Sequence, residues 1–573
     1  MSRSLIVRFL ARLACNPYVW IFLAALAAQG ASLWSDFYLD DYLFILQGDG
    51  TTRVPWSMEF LGMKFGNGVS GVQPVQVSFM QVLSTLAFDG IYWMFGPSPV
   101  AFHAANLLVH LVAACLVFRT ARCLLRHFPL LGSAENNRVA AFCAALIFAV
   151  HPLCTEPVNY AKCLMLQMVV AFGLWLIERF LIQLERPSPA NAAWLAVALA
   201  GTLLSYFPGA VVAFGGMGLI LAGKWRGLTG RAALRQKTGA LLVAALAAVA
   251  ATPLLGGWAA RQWNYTTLDH RWSHVLTQGR VFWMYLERVI LPVDLCSDHF
   301  IAWSLSARDL AAALATAGVV LLTAGVFGTL VLAKSARLRA WSLVAALALT
   351  PLLYRFLYIN HEAMVEYRTY PAMPWLCLLL GAGAAVLLAR RRRVVNLAMA
   401  GALAVLALLS CVRSQVWHDH FAHCEDVLRQ YPLNNRARAE IITQSFGSMD
   451  WDPIPLLVKE ARAAKAETDA FNRSQTRRAY STYLSTLPMV YIEHYHARYL
   501  SVTQGADAGL KRLDEAIALL QGTSAFAAFR GTPRQVVGIK PLTFAREDIA
   551  THREELDRFS KAWREAREKQ VRN

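Results

Sequence analysis

The chain has 573 residues, 56% of them apolar, and a formal net charge of +18. Apolar runs of about 20 residues recur along it, the length that crosses a hydrocarbon core, so it reads as a polytopic membrane protein and not as a soluble enzyme. The charge does not read as a nucleic-acid surface, because much of the Arg and Lys falls in short loops between apolar runs, where it reports topology.

In chain order, Arg3, Arg8 and Arg12 precede the first predicted span, 17–35, which places the N-terminus in the cytoplasm. That run reaches Leu33 with no clear small-residue cleavage site, so it reads as a retained span and not a signal peptide. A polar loop, 36–98, follows outside. Its run 75–95 is placed there as short interfacial helices. Span two, 100–120, ends in Arg119, Arg122 and Arg126. Span three, 139–155, leads out to "HPLCTEP", and span four, 160–183, returns to Arg179 and Arg186. Spans five and six, 190–207 and 209–223, turn at Pro208-Gly209 and end at Lys224 and Arg226. Span seven, 238–256, leads to a second outer loop, 257–308, with an amphipathic stretch at 278–291. Spans eight to eleven, 309–333, 340–357, 372–389 and 394–412, alternate around Lys334, Arg337, Arg339 and the "RRRR" of 390–393.

The expected division is thus a membrane domain, 1–413, and a helical domain, 414–573, outside the cytoplasm. In that tail "LDEAIALL", 513–520, has an amphipathic helical pattern, and 547–569 is a highly charged helix. The ten cysteines form no C-x-x-C pair, and Cys115, Cys143, Cys163, Cys377 and Cys411 lie in apolar segments. Neither a disulfide framework nor a zinc site is indicated. The excess of Arg over Lys and the abundant Ala suit a high-GC bacterium, hence its inner membrane.

Polar groups collect on the outward side. Asp36, Asp40 and Asp41 follow span one, then come His103, His151 and Glu156. Farther on stand Asp269, His270, Arg271, Asp294, Asp298 and His299, and last Arg355, His361, Glu362, Glu366 and Arg368. Ionisable groups at membrane depth are costly and face a cavity or a partner. Asp40 and Asp41, in "FYLDDYLFIL", suit a general base acting on a hydroxyl, a helix cap, or a pair of ligands for Mg²⁺ or Mn²⁺. No other cofactor is indicated. Arginines suit a phosphate, because the guanidinium fork binds two oxygens at once. His151 also reads as a cap, and Glu366 with Arg368 as an ion pair. Carboxylate plus arginine beside lipid tails points to a lipid-phosphate-linked substrate.

Several segments resemble a known family. "GPSPVAFHAANLLVHLVAACLVFR" (96–119), "HPLCTEPVNY" (151–160), "YLERVILPVDLCSDH" (285–299), "EYRTYPAMPWLCLLLG" (366–381) and "VWHDHFAHCEDVLRQYPLNNRARAE" (416–440) stand in the order seen in GT-C membrane glycosyltransferases. The group they are most similar to is the transmembrane-and-tetratricopeptide O-mannosyltransferases and their bacterial relatives. The resemblance spans about residues 17–440. "LDDYLFI" is similar to the family's first-loop aspartate motif. Where the family usually carries the Arg of a "GR" pair, Leu164 stands here, and Lys162 is the nearest cation. "EHR" reads "EYR", and a "YRPL"-like motif reads "VQPV" (72–75).

The resemblance implies a GT-C fold, which the about eleven transmembrane helices read above would build, with a TPR-like periplasmic domain. It implies an inverting transfer of a sugar from a polyprenyl-phosphate donor to a hydroxyl of an exported protein, on the periplasmic side. Asp41 or Asp40 is then the base. Arg368, Glu366, His151, Glu156, Lys162, Arg271, His103 and Arg355 become the residues expected to hold substrate or donor phosphate. The implied partners are that lipid-linked donor, the acceptor protein and membrane lipid, without nucleic acid. Two other readings stand beside this one: a lipid A or envelope-glycan acceptor, and a membrane transporter or assembly scaffold.

Overall fold

The computed structural model describes residues 16–38, 40–41, 81–206, 208–224, 268–359, 362–390, 392–480, 482–521, 542 and 545–572. Predicted span seven, the "VQPV" segment and His361 lie outside them, as do the side chains of Asp269, His270 and the "RRRR" run.

Helix α1, Pro17–Gln29, begins with Asn16, whose side chain accepts the Tyr18 N–H at 3.0 Å, and with proline at its first position, where no donor is lost. A 3-10 turn, Gly30–Trp34, hands the chain to the first loop. Helices α2, Val82–Phe95, α3, Pro99–His127, and α4, Ala134–Val150, follow. The chain then bends by 57° into the short helix α5, Thr155–Asn159. The bend has a local cause. His151 is extended, Pro152 has no N–H to continue the ladder, and His151 Nδ1 accepts the Leu153 N–H at 3.2 Å as a new cap.

Next come α6, Leu164–Glu185, α7, Pro189–Ser205, and α8, Gly216–Lys224, the last entered through a π turn at Val211–Gly215. Gly209 turns the chain between α7 and α8. A Cβ there would sit on the Thr202 carbonyl, so no other residue fits. Helices α9, Leu268–Ile290, α10, Leu310–Leu332, α11, Ala336–Leu353, α12, Met373–Arg390, and α13, Arg392–Gln415, complete the membrane part.

Small residues let these helices approach closely. Ala140, Ala141, Ala144 and Ala145 of α4 are buried, and Gly381 of α12 faces them. A Cβ on Gly381 would lie 2.5 Å from the Ala140 carbonyl oxygen and 2.7 Å from the Ala144 nitrogen. This is the close packing expected where lipid removes any hydrophobic drive between helices. In contrast, α10 and α13 bury very little of their apolar surface in the protein. Leu314, Leu321, Leu332, Leu397 and Leu408 all point outward. Such surfaces are stable against lipid, not water.

Among the described residues six helices are long and apolar enough to cross a membrane, or seven if the bent pair counts as one span. Predicted spans one, two, four, eight, nine and eleven coincide with those six, and span three with the bent pair. Spans five, six and ten coincide with shorter apolar helices, Pro189–Ser205, Val211–Lys224 and Met373–Ala389. Helix α2 has 14 residues, about 21 Å, and falls short of the roughly 30 Å core. The chain is an all-α, multi-pass membrane protein.

The C-terminal region is also helical: α14, His420–Gln430, α15, Asn435–Gly447, α16, Ile454–Ser474, α17, Thr482–Gln504, α18, Ala506–Gln521, and α19, Arg553–Arg572. "LDEAIALL" falls within α18, and the charged tail helix is α19. This region is joined to the membrane part at several places. The Asp36 N–H donates to the Trp417 carbonyl at 3.0 Å, and His418 Nε2 to the Ala31 carbonyl at 2.9 Å. Strands β1, Trp303–Ser304, and β2, Arg478–Ala479, pair antiparallel, and Arg478 grips Asp309 at 2.6 and 3.0 Å.

Candidate functional site

The site is built around a loop that the α4–α5 bend throws across the end of α6. Asn106, buried on α3, donates to the carbonyls of Pro157 and Tyr160 at 3.2 and 2.8 Å. Gln167 donates to the same Pro157 carbonyl at 2.5 Å. Asn159 accepts the Ser35 hydroxyl at 2.7 Å and donates to Ser414 at 3.0 Å. These buried amides satisfy backbone groups that the broken helix would leave orphaned. They fix Tyr160, Lys162 and the first loop against one another.

The two aspartates have different surroundings. Asp41 is fully buried. Its Oδ2 accepts the Tyr38 N–H at 3.0 Å and its Oδ1 the Lys162 N–H at 2.7 Å. Burial pushes its pKa up to about 7, against the pull of those two donors and of Lys162. Asp40 keeps a side chain 35% exposed, and the Lys162 ammonium lies against its Oδ2. The Asp40 N–H donates to the Tyr160 hydroxyl at 3.0 Å. Asp41 thus anchors the loop, and Asp40 is the carboxylate presented to the cleft.

Lys162 also sits over two aromatic rings, 5.1 Å from the Tyr160 centroid and 5.5 Å from that of Tyr367. Arg368 lies 5.7 Å from the same Tyr367 ring, so one tyrosine separates two cations. Arg368 does not pair with Glu366. Its Nη2 donates to Glu362 Oε2 at 2.8 Å, and Arg436 of α15 donates to Glu362 Oε1 at 2.6 Å. Arg436 is also 3.8 Å from Asp298. Burial raises the pKa of Glu362, but Arg436 and Arg368 outweigh it and hold the carboxyl well below the usual range. Arg355, on the turn after α11, is buried with its guanidinium 5.0 Å from the Tyr358 ring. Its Nε and Nη2 make no hydrogen bond among the described residues, and Arg368 lies within reach of its charge. A buried guanidinium left in this way is costly unless a ligand fills the gap.

The other predicted residues hold the frame. Glu156 Oε2 accepts the Tyr367 N–H at 2.7 Å. Glu366 Oε1 accepts the Cys296 N–H at 2.9 Å and His299 Nε2 at 2.8 Å, with Arg288 3.7 Å away. His151 Nε2 faces the Val289 carbonyl at 3.0 Å, so both of its ring nitrogens are engaged by backbone. His103 Nε2 faces the Asp36 carbonyl at 3.3 Å. Arg271 is half-buried near the start of α9. Four of these groups therefore orient Tyr367, α9 and the first loop.

Asp40 and Asp41 do not fit a divalent ion as placed. Mg²⁺ or Mn²⁺ would need several oxygens turned toward one point. Here both Asp41 oxygens accept backbone N–H groups and an ammonium occupies Asp40. Among the described residues no three His, Cys, Asp or Glu side chains gather as ligands.

An apolar groove of about 920 Å³ starts beside this cleft. Leu164, two residues on from Lys162, lines it, and Leu164 packs with Phe37, three residues before Asp40. The groove runs between α2, α3, α6 and α7 past Ile91, Val109 and Trp175, to Arg119 and Arg179 at its far end, where Glu178 meets Arg119 at 2.7 Å.

Tyr160, Tyr367, Arg436 and Glu440 stand with this cluster and are not among the residues expected from the sequence. The available signal is the "RARAE" of 436–440, which sets Arg436 and Glu440 one helical turn apart on α15. Burial, with Asp40 and Asp298 nearby, pushes the Glu440 pKa up to about 7 despite Arg436.

No family model matches the chain. The protein O-mannosyl-transferase Tmtc3 of Drosophila melanogaster is 36% identical over 87 residues, which make up 13% of this chain and 9% of that protein. The chain thus spans under a tenth of the curated relative's length. The relative is one of the O-mannosyltransferases that the sequence motifs resemble. The protein is a polytopic, all-helical membrane protein with partial similarity to a protein O-mannosyl-transferase.

Proposed function

We propose that the protein is an inverting membrane glycosyltransferase of the GT-C type, which moves a sugar from a polyprenyl-phosphate donor to a hydroxyl of an exported protein. The observation that carries this reading is the sequence of environments met along one path. A carboxylate–ammonium pair, Asp40 and Lys162, opens beside two further cations, Arg368 and Arg355, and beside an apolar groove of about 920 Å³. A lipid-linked sugar phosphate has the same order of parts. Its isoprenoid chain suits the groove, its phosphate the cations, and its anomeric carbon the side of Asp40.

In this reading Asp40 takes the proton of the acceptor hydroxyl. The acceptor oxygen bonds to the anomeric carbon as the bond from that carbon to the phosphate oxygen breaks. Polyprenyl phosphate leaves with the electron pair, held by Arg368, Arg355 and Lys162. Asp41 is a positioning residue that keeps Asp40 and the Lys162 backbone in register. The cleft lies on the outward, periplasmic side of a bacterial inner membrane, as the basic loops indicate. Partial similarity to a protein O-mannosyl-transferase supports the choice of a protein acceptor.

The test is intact-mass spectrometry of exported proteins and envelope lipids. It compares a deletion strain with the same strain carrying wild type or Asp40→Asn. A sugar-sized mass lost from a protein in the deletion, restored by wild type and not by Asp40→Asn, is the expected outcome. A loss confined to lipid A or glycan would replace the protein acceptor, and no loss anywhere would overturn the reading.

A further inference from the structure

The cleft has a wall that the membrane part does not supply. Helix α15 brings Arg436 and Glu440 to it from one face, one turn apart. Arg436 is spent on Glu362 and Asp298. Arg436 also feels Asp40, so Asp40, Asp298 and Glu362 belong to one charge array. In that array Asp40 is matched by Lys162, and Glu362 with Asp298 is matched by Arg368 and Arg436. Glu440 is the surplus carboxylate. Its side chain is 26% exposed; Arg436, the main cation acting on it, is committed to Glu362 and Asp298, and the ring nitrogen within reach is His420 Nε2, 3.7 Å from Oε2.

His420 does not neutralise it. The imidazole is 94% buried by its 6% side-chain exposure, and burial holds its pKa below the ordinary value, so it is neutral at pH 7. Its Nε2 makes no hydrogen bond among the described residues, although it is aimed at Glu440. A carboxylate with Asp40 and Asp298 nearby, and a buried ring nitrogen that faces that carboxylate without a hydrogen bond, are the mark of a place completed by a ligand.

We propose that Glu440 and His420 form the acceptor-side subsite of this cleft, and that the ligand there is a basic residue flanking the acceptor hydroxyl. Asp40 and Asp298, close enough to raise the Glu440 pKa, add to the same negative field, and a cation arriving beside Glu440 draws off the proton it holds and completes its charge. A Lys or Arg beside the acceptor Ser or Thr is drawn in by that field, and an Asp or Glu at the same place is repelled. The C-terminal helices then read the acceptor while the membrane helices hold the donor. This inference rests on the reading of the cleft as a site of transfer to a protein hydroxyl, but its readout is binding and not transfer.

The experiment uses the full chain in lipid nanodiscs. Fluorescent Ser/Thr peptides, identical except for Lys or Glu beside the hydroxyl residue, are titrated and followed by anisotropy. Wild type is expected to bind the Lys peptide about tenfold tighter than the Glu peptide, the scale of one partly desolvated charge contact. Glu440→Gln is expected to bring the ratio below about twofold, and Glu440→Lys to reverse it. Glu425→Lys, an exposed acid on α14, makes the same change in net charge and should leave the ratio as it is. A ratio near one in wild type, or one that Glu440→Gln and Glu440→Lys leave unchanged, overturns the proposal. Charge selection by Glu440 without any sugar transfer would overturn the glycosyltransferase reading alone. Sugar transfer without charge selection would overturn this inference alone.

Discussion

Arg436 and Glu362 are 74 residues apart in sequence and 2.6 Å apart in space, joined by a charged hydrogen bond between the C-terminal region and the last outer loop. Glu362 takes Arg368 on its other oxygen, so one carboxylate organises two guanidinium groups. Glu362→Gln is expected to leave both arginines short of a counter-charge and to cost about 1–3 kcal/mol. The measurement is a thermal melt of the detergent-solubilised protein. An unchanged melting temperature would mean that the pairing of Glu362 with Arg368 and Arg436 contributes nothing to the fold.

Asp40 and Asp41 should separate cleanly under substitution. Asp40→Asn removes the proposed base and should lower transfer by about 10²–10⁴-fold, with a smaller shift of the melt than Asp41→Asn, since the amide still faces the Lys162 ammonium and Asp40 is the more exposed of the two. Asp41→Asn keeps one acceptor but turns an amide donor toward a backbone N–H, at a cost of about 1–3 kcal/mol. Parallel transfer assays and melts decide this, and the reverse pattern would exchange the two roles.

Lys162→Met removes the ammonium from Asp40 and from the Tyr160 and Tyr367 rings while keeping most of the volume. Transfer should fall by about 10²-fold or more, with Lys162→Arg recovering only part of it, since the fork differs in shape from a point charge. Steady-state rates at saturating donor, normalised to protein level, provide the check.

Asp41 also gives the protein a pH dependence of known sign. Its folded pKa, about 7, is above the value near 4 of an unfolded aspartate. The folded chain therefore holds this proton more tightly. The stabilisation is full below about pH 4 and is lost as pH rises through about 7. The melting temperature should fall between pH 5 and 8, and the Asp41→Asn profile should be flatter over the same window.

Gly381 predicts a packing failure. Any side chain there meets the Ala140 carbonyl and the Ala144 nitrogen, both backbone atoms that cannot swing away. Gly381→Leu should separate α4 from α12 and cost at least about 1–3 kcal/mol. Lower expression and an earlier melt are the readouts, with Gly383→Leu as the control, because a Cβ at Gly383 meets open space.

Much of this is legible from the chain itself, because membrane spans announce themselves by length and apolarity alone. The first-loop aspartates and "HPLCTEPVNY" likewise mark their neighbourhood, since polar groups beside lipid need a reason to be there. Partner choice is harder to read. "EYR" invites a Glu366–Arg368 pair, yet the 3-10 turn Glu366–Thr369 sends the two side chains apart, to His299 and to Glu362. Asp40 and Asp41 are adjacent and chemically identical, and what distinguishes them is supplied mostly from 121 residues away, where the Lys162 N–H takes Asp41 and the Lys162 ammonium takes Asp40. Arg436 and Glu440 lie in a polar tail where charge is cheap, so their types alone do not set them apart.

The paired strands Trp303–Ser304 and Arg478–Ala479, with Arg478 clasping Asp309, have a consequence for anyone who would exchange parts between relatives. The helical tail is not an interchangeable module. A chimaera with a foreign tail leaves Asp309 and Asp298 without their arginines and Glu362 with Arg368 alone, and one with a foreign membrane part leaves Arg478 and Arg436 without their carboxylates. The cut that respects this protein lies between complementary sets of charges, and both sets have to travel together.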